Sequence, residues 1–487
     1  MADPLQLAIF LGITALIGFV TYLHCRSVDS GDKSSERDYF LASGGLSWYF
    51  VAGSITLTNL STEQLVGMNG NQMLLLAWWE LAAVAGLFIL AFVFLPIYYR
   101  NNCTTTTELL QRKYGDKNIR ALISVLFLFG NIFMFLPAAI YSGALFMKSM
   151  MGIDLPILLI ATAFAIVGAL YAILGGLRAV AISDTYSGVL ILTLALFVVY
   201  LALKAINFDL TGIPPERLTL IGRDGMFGPD EETEIPWHTL FTGMIFIQMF
   251  YWSTNQTITQ RAMAAPTIGE AQKGVMAAAG IRLLIVPVIV TVPGIVAFKL
   301  YGDVGDEAYG RIVGDVLPGW LAGAFAAGIA AAVLTTFNSI LNASAALYVC
   351  DIHEPYFDRV KNVPPISGIV SVILTAIAIV LVPIYATQES IINTIQRLYG
   401  ILSMPILSAF IVGLAFRGVH AGAAIIGVIS GVALYTILSF VWTPVHYIHA
   451  MFVTLLFSIG ISLVANRIVF GRPIEPSWGQ SAPDPAE

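Results

Sequence analysis

Residues 58–67 read TNLSTEQLVG and lie between the apolar runs YFVAGSITL and MNGNQMLLLAWW. Six of the seven residues from Thr58 to Gln64 are polar, yet the surrounding segment is long enough to cross a bilayer. An unpaired polar group in hydrocarbon costs several kcal/mol, so these side chains must face protein, water or a ligand. Gly53 precedes the run, and Gly67 and Gly70 follow it. Together they predict a membrane helix interrupted near its middle, with freed carbonyls and polar side chains at the interruption.

The rest of the chain fits a membrane setting. Of 487 residues, 57% are hydrophobic and 11% are charged, against about 25% charged in a soluble domain. The mean hydropathy is +0.82. A soluble core could not hide so much apolar surface. Thirteen apolar runs of spanning length lie at about 4–24, 46–68, 73–99, 118–147, 153–173, 179–205, 235–260, 274–300, 313–349, 364–384, 389–415, 420–441 and 445–466. The chain therefore reads as an all-α polytopic membrane protein. The first run lacks a basic start and a small-residue cleavage site, so it reads as an uncleaved helix.

With the N-terminus outside, sixteen Lys and Arg residues fall on the cytoplasmic side, six fall outside, and Arg282 and Arg397 lie within spans. This asymmetry sets the orientation and puts the C-terminus in the cytoplasm of a cell (inner) membrane protein. Cys25, Cys103 and Cys350 then sit at the reducing face, where no disulfide is expected. The net charge of −6 carries no argument for nucleic acid. Two groups of five spans, 46–206 and 235–415, flank an outer loop at 207–234. An odd number of spans inverts the second group relative to the first, the arrangement of an inverted repeat. An N-terminal extra helix and loop (1–45), two C-terminal helices (416–468) and a Pro-rich tail (469–487), expected to be disordered from 472, complete the organisation.

Further polar residues lie at membrane depth. Glu63 follows the opening run, Glu80 sits in AWWELAA and Arg282 in AAGIRLLIV. An ion pair between Arg282 and an acid is the structural reading, and direct solute binding the functional one. The stretch IQMFYWSTNQTITQRA (247–262) places Gln248 and Tyr251 on one helix face; its amides and rings suit a hydroxyl-rich ligand. Ala332, Thr335 and Thr336 share a face of the ninth span. Small residues there allow close packing, or the hydroxyls serve a hard cation, which prefers oxygen ligands. Asp184 closes the turn GGLRAVAISD, where it caps the sixth span or relays a cation. Gln396, in TIQRLYG, is a candidate site amide beside Arg397. No metal cluster, phosphate loop or nucleophile elbow is visible.

Four stretches carry a resemblance: YFLASGGLSWYFVAGSITLTNLSTEQLVGMNG (39–70), GGLRAVAISDTYSG (175–188), FYWSTNQTITQRAMAA (250–265) and LTTFNSILNASAALYVCDI (334–352). As a set they resemble the sodium:solute symporter family, and in particular its sodium/sugar branch, over about residues 4–466. The resemblance implies a LeuT-type 5+5 inverted repeat whose first core helix is discontinuous. It implies a sodium site from the carbonyls of Leu57 and Leu60 with Ala332, Thr335 and Thr336, where the family usually has Ser at the last two positions. Solute contacts would come from Gln64, Glu80 and Gln396, with Asn59, Glu63, Gln248, Tyr251 and Arg282 nearby. Met68, Trp79 and Tyr251 would form gates. Asp184 and Ser339 mark a possible ion exit or second sodium site. The sugar branch has Lys at the position of Arg282, Asn or Thr at Gln248 and Tyr at Trp79. Arg prefers planar anions, so an acidic sugar stands beside a neutral one.

The expected function is import of a small polar solute, a sugar or sugar derivative, coupled to sodium by alternating access. The expected partners are sodium, the solute and the lipid bilayer, with no cofactor, nucleic acid or obligate protein partner. The rival transport readings are an amino acid, carboxylate or vitamin substrate and proton coupling. A non-transporting solute sensor is the rival of another class. No catalytic constellation supports an enzyme.

Overall fold

The computed structural model describes residues 4–28, 40–223, 233–357, 363–388 and 390–477. Four residues used for the orientation, Lys33, Arg37, Arg359 and Lys361, lie outside it, as do residues 229–232 and the end of the tail. Among the described residues nine helical stretches are long and apolar enough to cross a membrane: Leu74–Arg100, Lys117–Met151, Leu177–Ala205, Ile268–Tyr301, Gly319–Tyr356, Val363–Tyr385, Ile391–Ala415, Ala421–Val441 and Tyr447–Ile468. Shorter apolar helices cover Ala8–Thr21 and Ile157–Ile173.

In chain order the helices are α1 (Pro4–Val28), α2 (Trp48–Asn59), α3 (Thr62–Gly70), α4 (Trp78–Ile89), α5 (Leu95–Arg100), α6 (Glu108–Tyr114), α7 (Lys117–Gly130), α8 (Leu136–Met151) and α9 (Ile157–Ala205). They continue as α10 (Gly243–Ser253), α11 (Gln256–Met263), α12 (Ile268–Leu284), α13 (Val286–Tyr301), α14 (Ala308–Val316), α15 (Gly319–Tyr348), α16 (Val363–Tyr385), α17 (Ile391–Ala415), α18 (Ala421–Thr436) and α19 (Tyr447–Ile468).

The expected span 46–68 is two half-helices, α2 and α3, joined at Leu60 and Ser61. At the joint the Ser61 N–H turns back to the Asn59 carbonyl at 2.7 Å. The expected span 235–260 is broken too, at Thr254 and Asn255, which separate α10 from α11. Asn255 caps α11 by accepting the Thr257 N–H. The first long helix of each five-helix group is thus interrupted at a corresponding place.

The turn expected at 175–184 is helical: α9 runs without a break in its assignment from Ile157 to Ala205. The chain nevertheless bends there. The Tyr171 hydroxyl donates to the Ala179 carbonyl at 3.2 Å. Eight residues of straight helix rise about 12 Å, beyond the reach of a tyrosine. The corner is therefore made by a bent helix, and Asp184 lies inside α9 and fully buried. It does not cap a helix start.

Two packed groups organise the core. α2 packs on α9 and α12, while α4 packs on α10 and α12, so α2, α4, α10/α11 and α12 form one bundle, and α3 packs on α8, α13, α14 and α17. α8, α9, α15 and α16 pack on one another as a second group. The groups meet tightly at Gly53, where an added Cβ would come 2.4 Å from the Thr185 hydroxyl. The first part of the tail, residues 472–477, is tied down, contrary to expectation. Glu475–Pro476 pairs antiparallel with Phe416–Arg417, and the Ser477 N–H donates to the Ala415 carbonyl at 2.8 Å. These bonds satisfy carbonyls that the end of α17 leaves open. Cys103 and Cys350 are buried and form no disulfide among the described residues; the side chain of Cys25 lies outside the described ones.

Candidate functional site

A pocket forms between the two interrupted helices, α4, α8 and α17. Its walls hold Asn59, Gln64, Trp79, Glu80, Gln248, Tyr251 and Gln396, with Phe135, Ile247, Trp252, Ile395 and Tyr399. The space free of atoms between them is about 440 Å³, of which about 60 Å³ is open to the centre of a water molecule. The Asn59 amide donates to the Tyr251 hydroxyl at 2.9 Å, tying one broken helix to the other. The Asn255 amide, in the second break, donates to the Tyr399 hydroxyl at 2.9 Å. Tyr399 and Trp252 were not among the sequence candidates, because rings in apolar helices carry no local mark of a binding wall.

The polar side chains of the pocket are not equally occupied. Gln64 donates to one carboxylate oxygen of Glu80 and Arg282 to the other. Arg282 also donates to the Thr56 carbonyl at 3.2 Å and lies 4.6 Å over the Trp252 ring. It is fully buried behind Glu80 and does not line the pocket. Gln248 is spent as well: its amide donates to the Trp79 carbonyl at 2.8 Å and accepts the Trp252 indole N–H at 2.9 Å. Among the fully buried polar atoms of the wall, what is left over is acceptor oxygen, while the half-buried Gln396 amide lines the pocket as well. Asn59 Oδ1 and Gln64 Oε1 are buried without a hydrogen-bond partner.

Glu63 and Met68 stand apart. Both are buried in α3, and neither reaches the pocket wall. Glu63 keeps one carboxylate oxygen without a partner.

A second polar cluster lies where α2, α9, α11 and α15 meet. Ser54 donates to Asp184 Oδ2 at 2.5 Å and Thr58 at 3.4 Å. Arg261 Nε lies 3.8 Å from the same oxygen and donates to Ser54 at 2.9 Å. The Thr335 hydroxyl donates to the Ala332 carbonyl at 3.1 Å. Asp184 Oδ1, Thr336 Oγ1 and Ser339 Oγ are buried without partners. Among the described residues no backbone N–H closes onto the carbonyls of Leu57 or Leu60, because the break redirects the donors that would have done so. Buried oxygens left unpaired are costly. Apart from the Arg261 guanidinium, the open groups of this neighbourhood are oxygens, the ligand type a hard cation requires.

The comparisons with known proteins bear on family and fold. The model of the sodium:solute symporter family matches residues 39–431. An uncharacterized symporter of Escherichia coli (strain K12), YidK, is 32% identical over 495 residues, covering 96% of this chain and 84% of its own length. A sodium/glucose cotransporter of Vibrio parahaemolyticus is 28% identical over 491 residues, covering 94% and 88%. Among solved structures, a Na+-coupled sialic acid symporter in a substrate-bound outward-open state superposes with a TM-score of 0.83. It has 16% identity and covers 97% of this chain and 99% of that one. The last likeness concerns the fold.

Proposed function

The chain belongs to the sodium:solute symporter family, a multi-pass membrane family that couples a solute to sodium, and from that premise we propose that it imports a neutral, polyhydroxylated solute of the sugar or polyol class. The observation that carries the substrate class is the state of the pocket oxygens. Asn59 Oδ1 and Gln64 Oε1 are acceptors in search of donors, and solute hydroxyls supply donors. A solute carboxylate would call for a cationic donor, whereas the donors of the wall, the Gln396 amide and the Tyr251 and Tyr399 hydroxyls, are neutral. Arg282 is committed to Glu80 and Thr56, and no Lys or Arg lines the pocket. The rings of Trp79, Tyr251 and Tyr399 offer apolar faces for the carbon skeleton.

Sodium would bind between the α2–α3 break and α15, held by the Leu57 and Leu60 carbonyls, Ala332, Thr335 and Thr336. The unpartnered Thr336 hydroxyl and the freed carbonyls support that reading. Asp184 and Ser339 would lie on its exit or form a second cation site. Asn338 and Asn342, with unpartnered amides farther along α15, would keep that route hydrated. Residues 46–206 and 235–415 would act as inverted repeats, each led by its broken helix, with the N-terminus outside. Rocking of one packed group on the other would expose the site to either side. Coupling requires no bond chemistry, because sodium and solute each need only favour the same state.

The test is binding by the purified protein of neutral sugars, polyols, acidic sugars and amino acids, each in sodium and in potassium, read as thermal stabilisation. A neutral polyhydroxylated compound that stabilises only in sodium is the expected result. Stabilisation by acidic sugars alone would overturn the substrate class.

A further inference from the structure

Arg397 is the residue that the transport reading does not use. It is exposed on α17, six residues inside the start of that helix, or about 9 Å along its axis. One nitrogen donates to the Ser439 carbonyl, and the guanidinium lies 5.0 Å from the Phe440 ring centre. None of the ion pairs among the described residues includes it. An exposed guanidinium at that depth is costly unless it meets an anion or water.

Two cavities share this side chain. One is polar, with about 930 Å³ free of atoms, and its walls include Glu234, Asn393, Thr443 and His446. The other is apolar, with about 800 Å³, and runs along Phe133, Leu381, Ile384, Leu398 and Phe440. Ile384 is 56% exposed and Phe440 46%, so the second is a groove on the outer surface of the helices. Trp442, 66% exposed, lies three residues beyond Ser439, as an interfacial tryptophan would. In the polar cavity Glu234 accepts the Asn393 amide at 3.0 Å. Burial shifts its carboxyl upward from the ordinary carboxylate value, and a cation beside it would favour the charged form. A single cavity thus holds a cationic and an acidic side chain, and an apolar groove leaves from the cationic one.

We infer that this is a binding site for one aminophospholipid of the leaflet at the 207–234 loop, with the phosphate on Arg397, the ammonium against Glu234 and an acyl chain in the Ile384–Phe440 groove. The bilayer supplies the occupant at high local concentration, and a headgroup with both charges matches the pair of side chains. A charge-assisted arginine–phosphate contact is among the strong hydrogen bonds.

The experiment uses the full chain purified in detergent. Retained lipid is read by native mass spectrometry and stability by thermal unfolding, after addition of phosphatidylethanolamine, phosphatidylglycerol or diacylglycerol. Phosphatidylethanolamine is expected to remain bound and to raise Tm. Arg397→Gln should lower its retention about tenfold while sodium still stabilises the variant, which shows that it is folded. Glu234→Gln should abolish the preference for phosphatidylethanolamine over phosphatidylglycerol. Equal retention in Arg397→Gln and the parent overturns the site. So does stabilisation by diacylglycerol as large as that by phosphatidylethanolamine. Equal binding of the two phospholipids by the unmodified protein overturns the amine assignment.

Discussion

Two buried arginine–carboxylate pairs, Glu80–Arg282 within the first bundle and Asp184–Arg261 between the two packed groups, are built differently. Glu80 has both oxygens taken, by Gln64 and by Arg282. Asp184 has one oxygen crowded by Ser54, Thr58 and Arg261 and the other empty. Each arginine keeps one nitrogen without a partner, Nε in Arg282 and Nη2 in Arg261, so the pairs differ in their carboxylates. A third acid, Asp351, is the saturated extreme, receiving Thr105, Thr107, Ser124 and Arg120. The lesson is that burial of a charge does not by itself mark a ligand site. A satisfied pair fixes geometry, whereas a pair with valence to spare is open to an ion. On this account Glu80–Arg282 shapes the solute pocket and Asp184 serves the cation.

The largest expected effect tests the structural pair. Arg282→Met alone should cost about 3–5 kcal/mol, because it strands a buried carboxylate. The double variant Glu80→Leu/Arg282→Met should recover most of that loss. Denaturation of the purified proteins reads both; a double variant no more stable than the single one would show that the pair is not closed on itself. Next, Thr335→Ala with Thr336→Ala should weaken sodium binding about 100-fold, at about 1.5 kcal/mol for each lost oxygen ligand. Unfolding temperature titrated with sodium against potassium checks it. Third, Asp184→Asn and Glu80→Gln should separate the two regions. The former should lower sodium affinity about tenfold, and the latter should lower solute affinity about tenfold while sodium affinity stays within about twofold. Sodium titrations paired with solute uptake distinguish them, and equal losses in both ligands for both variants would erase the distinction. The smallest effect is Tyr251→Phe, which removes the acceptor of the Asn59 amide. It should cost about 1 kcal/mol and read out as a few-fold faster solute release in stopped-flow dissociation.

The first helix break was legible because six polar residues in a membrane run admit no other placement. The second was not, although its polar residues were noticed. WSTNQT has no Gly or Pro, and the signal was Asn255, a capping residue that accepts the Thr257 N–H only once the helix has ended. Six of the eight solute candidates line one pocket, because polar side chains at depth have few places to go. Arg282 and Glu63 fail to reach it for a reason no local pattern holds: each direction is set by a partner or a helix face, and Arg282 meets Glu80 across 202 positions of sequence. Asp184 was misplaced at a helix start because the glycines before it read as a turn. The bend at Tyr171–Ala179 keeps helical hydrogen bonding, and bent helix and turn share the same residues. The 475–476 strand was invisible because its partner, Phe416–Arg417, offers too short a pattern to read.

The most direct measurement is equilibrium binding of radioactive sodium to the purified protein and to two variants, Thr335→Ala/Thr336→Ala and Glu80→Gln. The account predicts that the hydroxyl-free variant loses sodium binding while Glu80→Gln keeps it. Unchanged sodium affinity in the hydroxyl-free variant, or its loss in Glu80→Gln, would contradict the assignment of the cation to the α2–α15 cluster.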